Sequence, residues 1–182
     1  MFHVLGARMH WNVIAVATLL ASSSALAADF SHDSAIDFSG SYHPRGSVKA
    51  GPFELVEIVL ALPDDFKKWE ATRNRKTDEA PIGMVFHDLS GKHFTDGAGV
   101  EEYANAPVVA PSGYSIKGTT FSFRGNDKQL GLVTFTGTFD MKALKATAAG
   151  GDPAKIAPVL TGDLTVGGKT YKNIAFESYG DD

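Results

Sequence analysis

The chain has 182 residues and no cysteine, and its 21 acidic side chains outnumber its 17 lysines and arginines, for a net charge of −4. The missing cysteines exclude disulfides, thiolate-ligated zinc, iron–sulfur clusters, cysteine nucleophiles and a lipid anchor on an N-terminal cysteine. The acidic balance argues against nucleic acid as a partner, since the one basic cluster, Arg73-Asn74-Arg75-Lys76, is short and flanked by Asp78 and Glu79.

Residues 1–27 read as a cleavable signal peptide. Arg8 marks a weakly basic start, an apolar run extends from Trp11 to Ala21, three serines follow, and Ala25-Leu26-Ala27 supplies a small-residue cleavage motif. A spanning helix needs about 20 apolar residues; this run has nearly half that, and no later stretch is long enough to span. The expected location is therefore periplasmic or secreted, with no membrane span after cleavage. Removing the leader takes away Arg8 and no acid, so the mature chain is one unit more negative. Residues 28–182 are expected to form a single β-rich domain, held by its core alone.

Period-two alternation with β-branched and aromatic enrichment dominates that domain. Residues 35–42 (AIDFSGSY) place Ile36, Phe38 and Gly40 on one face of a first strand. Residues 53–62 (FELVEIVLAL) predict a second. Pro63-Asp64-Asp65 then suits a helix start, because proline fits the first turn and acids complement the positive end of the dipole. Phe66 and Trp69, three apart, would anchor one face of that helix, and residues 73–80 would form a polar loop. Residues 82–89 read as a strand, and residues 90–111 as an irregular connection holding a short element near 100–103. Strands are expected at 114–116, 119–123 and 130–139, with the turn between the last two at 124–127. Residues 140–149 form a connection with room for one helical turn. A hairpin joins 159–166 to 170–178 across Gly167-Gly168, a pair suited to a two-residue turn. Phe135-Thr136-Gly137 puts a glycine in mid-strand, which marks a bulge or a sharp bend. The fold class is all-β, mainly antiparallel: a small β-barrel or β-sandwich with one or two short helices.

Enzyme signatures are sparse. The chain lacks a Gly-x-Ser-x-Gly elbow, a His-Glu-x-x-His helix, a phosphate-binding glycine loop and an acidic calcium loop, so no catalytic residue is assigned and the reading leans away from an enzyme. Neither Asp64/Asp65 nor Glu101/Glu102 reads as a catalytic pair. Two imidazoles flanking a turn, His87 and His93, together with Asp88, offer a candidate zinc or copper site; no cofactor is otherwise implied. The alternating aromatics supply a core, and an eight-stranded barrel of this size can be filled by side chains or hold one small ligand.

His32-Asp33-Ser34-Ala35-Ile36-Asp37-Phe38, with His43 and Gly51-Pro52-Phe53 beyond, resembles the opening strand of the YceI-like family of exported, lipocalin-like barrels. Thr161-Gly162-Asp163-Leu164-Thr165-Val166-Gly167 is similar to that family's later hairpin. Asp33 is an insertion relative to the pattern, the family's central Phe-Phe/Tyr-Pro segment is missing, and the two stretches cover under a quarter of the mature chain. The resemblance implies a barrel that binds a polyisoprenoid lipid, lined by Ile36, Phe38 and Phe53, with His43 beside them. The functional expectation is an exported, non-enzymatic binding protein for a small apolar or lipid-like ligand. Its alternatives are a periplasmic metal-binding protein using His87 and His93, and an extracellular protein that acts through its surface.

Overall fold

The computed structural model describes residues 30–33, 35–72, 79–95, 97, 99, 101–152 and 155–179. The expected leader, the basic cluster at 73–76, Val100 and the tail at 180–182 lie outside the described residues.

The elements run β1 (Phe30–His32), β2 (Gly40–Pro44), β3 (Lys49–Ala50), β4 (Phe53–Leu60), α1 (Pro63–Ala71), β5 (Ile82–Asp88), β6 (His93–Thr95), β7 (Glu101–Tyr103), β8 (Val108–Val109), β9 (Pro111–Lys117), β10 (Thr120–Asp127), β11 (Gly131–Phe139), α2 (Met141–Ala148), β12 (Leu160–Val166) and β13 (Lys169–Tyr179). One large sheet has the order β1-β9-β10-β11-β12-β13-β2-β4-β5-β8, with β3 added to β4, and β6 and β7 make a separate ribbon. The pairings are antiparallel except that of β1 with β9.

The sheet curls until its two ends meet on one strand. β8 pairs with β5, and the amides of Phe86 and Asp88 extend that pairing by donating to the carbonyls of Pro107 and Asn105, each at 3.0 Å. Past Ala110 the same strand, now β9, pairs with β10. Residues 105–117 thus serve β5 with their first half and β10 with their second, and the wall is barrel-like. The second half leaves a seam beside β5. β1 enters it, with Phe30 opposite Tyr114 and His32 opposite Ile116.

Alternation fills the interior. Along β10, Phe121, Phe123 and Gly125 are buried between more exposed neighbours, and β11 and β12 repeat the pattern. Phe121 and Phe135 rings lie 5.4 Å apart, Phe135 meets Phe176 edge-on at 5.7 Å, and Phe38 stacks on Phe139 at 4.1 Å. Each of these rings is 3% exposed or less. A fully buried side chain of this size contributes about 1.5–3 kcal/mol, so the packed rings carry much of the wall's stability. α1 begins at Pro63 with Asp64 and Asp65 in its first turn and buries Phe66 and Trp69, as the sequence predicts. α2 is capped by Asp140, whose carboxylate accepts from the amides of Lys142 and Ala143 at 2.8 and 3.0 Å.

Two local expectations are corrected. The strand expected at 35–42 begins at Gly40, as β2, not at residue 35. Asp33 and Asp37 accept hydrogen bonds from the amides of Ala35 and Ser39, bending the chain in two Asx turns. Ile36 and Phe38 therefore reach the core from a loop, which the Tyr42 hydroxyl pins by donating to the Phe38 carbonyl at 2.6 Å. The turn expected at 124–127 lies further on, because β10 continues to Asp127, whose Oδ1 accepts from the amides of Gln129 and Leu130 at 2.7 and 3.0 Å. The Gly167-Gly168 hairpin forms where expected, both residues having positive φ (57° and 78°). The mid-strand Gly137 faces Gly162 across the ladder, and the Phe135 ring lies over both. A Cβ on Gly162 would come within 2.4 Å of that ring, so the close approach requires glycine. The register shifts immediately afterwards, between Gly162 and Leu164.

Candidate functional site

The interior of the wall is occupied by side chains, so a concave surface has to be sought at its ends. One end carries the starts of β4, β11 and β13 and the ends of β10 and β12. There Ala50, Gly51, Pro52, Phe53, Gln129, Leu130, Val166, Gly167, Lys169 and Tyr171 line an open cleft of about 350 Å³. This lies within the usual range for small-molecule sites, roughly 300–1,000 Å³.

The cleft has an apolar floor and a polar lip. Phe53, Leu130 and Val166 are 7%, 4% and 1% exposed and belong to the core. Local chemistry sets each of them. Phe53 opens β4 beside the Gly51-Pro52 bend, Leu130 follows the Asp127-capped turn, and Val166 immediately precedes the double-glycine hairpin. Tyr171 spans the lip, its hydroxyl donating to the carbonyl of Lys49. The Lys169 ammonium sits 4.5 Å from the centre of the Tyr171 ring, a cation–π contact, and is the charged group of the lining. Gln129 connects the lip to a neighbouring polar chain: Asn105 donates to Gln129 at 3.4 Å and to Asp88 at 3.0 Å.

The residues singled out from the sequence scatter across the molecule. Phe53 lies in the cleft floor. Phe38 stacks in the core, and Ile36 packs partly buried against it. His43 follows the inward-facing Tyr42 and so lies on the outer wall, its Nε2 3.6 Å from Glu57. His87 stacks on Tyr103 with ring centres 4.3 Å apart, and His93 tilts against the same ring at 5.8 Å. Asp88 is engaged in its turn: Oδ1 accepts from the Ser90 amide and hydroxyl, and Oδ2 from Asn105. The hydrogen bonds from Ser90 and Asn105 hold its carboxyl below the usual carboxylate range. Among the described residues, no group of three or more His, Asp or Glu side chains converges as a metal-binding set.

Sequence reasoning missed the other cleft residues, Leu130, Val166, Lys169 and Tyr171. Three of them flank the Gly167-Gly168 turn, and that turn was the available signal: a tight hairpin at a barrel end puts its flanking side chains at the mouth. Among the described residues no helix is long and apolar enough to cross a membrane. In comparisons with known proteins, no family model, no curated protein and no solved structure matches this chain.

Proposed function

We propose that this chain is an exported, non-enzymatic binding protein whose ligand is small, with an apolar body and one anionic end. The observation that carries the reading is the rim cleft, with its apolar floor of Phe53, Leu130 and Val166 and its single ammonium at Lys169. The body of the ligand lies against the floor, and its anionic end meets Lys169 at the lip. The packed aromatic interior directs the ligand to the mouth in place of the axis. Export rests on the leader pattern in residues 1–27, which fits a periplasmic or secreted carrier.

The test is titration with cis-parinaric acid, a fluorescent probe with an apolar chain and a carboxylate. Saturable binding at one probe per protein is expected. Ala50→Trp, which fills the cleft, should abolish it, and Lys169→Ala should weaken it by up to about fivefold, as one exposed charge contact is worth up to about 1 kcal/mol. Absence of saturable binding, or unchanged binding in Ala50→Trp, would overturn the reading.

A further inference from the structure

β1 is held unlike its neighbours in the wall. It is three residues long, runs parallel to β9 and is the terminal strand of the sheet order. Aromatic contacts with α1 and β9 clamp it. Phe30 meets Trp69 edge-on at 4.9 Å and Tyr114 at 5.3 Å. Two residues on, and so on the same face, His32 lies flat on Phe66 with ring centres 4.1 Å apart and planes 13° apart. The strand ends where the Asp33 amide donates to the Ile116 carbonyl at 2.9 Å.

The imidazole in that clamp is incompletely satisfied. Its Nδ1 is buried and has no hydrogen-bond partner. As an acceptor on a neutral ring, a bare Nδ1 is tolerable. On a protonated ring it becomes a buried donor carrying positive charge with no oxygen to receive it, which is far costlier. The same ring in a detached, solvated β1 meets no such penalty.

We infer that β1 is a proton-sensitive strap, released from β9 and α1 when His32 takes up a proton. Release would uncover Trp69 and Tyr114 and open the wall on the side away from the rim cleft.

Charged groups reach His32 from two elements. α1 presents Glu70 and Lys67, and the chain after β1 presents Asp33 and Asp37. The three carboxylates favour the cation and Lys67 opposes it. Glu70 is already accepting the Tyr114 hydroxyl at 2.7 Å. Across the ladder β9 offers Ile116 and Tyr114, neither of them a charge. Burial outweighs the carboxylates and holds the ring below its ordinary value of 6.5. The sign follows: the detached strap, with its ordinary value, binds more protons than the docked one below about pH 6.5. Docking is therefore at full strength above that pH and weakens as pH falls, by at most about tenfold per unit, until the lowered value is reached.

Hydrogen exchange on the whole protein at pH 7.5 and 5.5, corrected for intrinsic exchange rates, tests the strap. Both values lie above the ordinary range of Asp and Glu, so carboxylates stay ionised. Protection of residues 30–33 should fall at pH 5.5, by up to about tenfold, with β11 and β12 unchanged. His32→Leu and His32→Gln should both abolish the pH dependence. Equal protection of the wild-type strap at both pH values, or the same loss in both variants, would overturn the inference. Should neither variant fold, the carbon shifts of the His32 ring provide the reading: a midpoint below 6.5 is expected, and one at or above 6.5 would overturn it.

Discussion

β10 to β13 and the seam region of β1, α1, β5, β8 and β9 enclose one core by opposite means. The four consecutive strands pair over seven or eight residues at a time along β10–β11 and β11–β12, and their rings interlock around Phe135. At the seam, β8 contributes a two-residue ladder and β1 a three-residue one, and Phe66 and Trp69 of α1 pack against Phe30, His32 and Tyr114. The first region owes its order to backbone pairing and packed volume together, whereas β1 at the seam owes its place mainly to aromatic contact. Local opening free energy follows the density of such contacts, so the strands resist where the seam yields.

The comparison can be broken at several points. The largest effect is expected for Phe135→Ala, which empties the centre of the ring cluster and uncovers Gly137 and Gly162. A loss of about 3–5 kcal/mol in chemical denaturation is expected, and less than about 1 kcal/mol would show that the rings do not dominate. Gly162→Ala drives a methyl into the Phe135 ring and the Thr136 carbonyl, at 2.4 and 2.6 Å. It should cost about 1–3 kcal/mol by the same measurement. Tyr42→Phe strands the buried Phe38 carbonyl that its hydroxyl now satisfies and should cost about 1 kcal/mol, read as a lowered denaturation midpoint at unchanged slope. The smallest global effect is expected at the seam. Phe30→Ala should move the midpoint by under about 1 kcal/mol, yet it should lower amide protection at 30–33 while leaving β11 and β12 alone. Uniform loss of protection would merge the two regions into one cooperative unit.

What was legible in the sequence follows how local the encoding is. The Gly167-Gly168 hairpin, the Pro63 helix start and the alternation of β11 and β12 are encoded within a few residues, and each is found in place. The 35–42 alternation misled because Asp33 and Asp37 turn the backbone with their own side chains, and two faces on paper became a loop. Gly125 resembled a turn residue, while Asp127 placed the turn three residues later. Nothing local foretells that Phe30–His32 pairs with Tyr114–Ile116, since an edge left open by β5 draws the strand in. The cleft was half visible. Phe53 could be singled out beside its Gly-Pro bend, but the opposite side comes from Leu130, Val166 and Tyr171, and only closure of the wall brings them near.

That closure also sets an order in time. β10 to β13 can assemble from sequence neighbours, each strand adding to the last. The ring is completed when Phe176 comes opposite Pro44, a pairing that spans most of the described chain. Contacts so distant in sequence must overcome a large loop entropy before they are rewarded. The nucleus is therefore expected in the C-terminal hairpins, with the pairing of β2 as the late step. In stopped-flow kinetics, changes at Gly167-Gly168 should slow refolding, whereas changes along the β2–β13 join should mainly hasten unfolding.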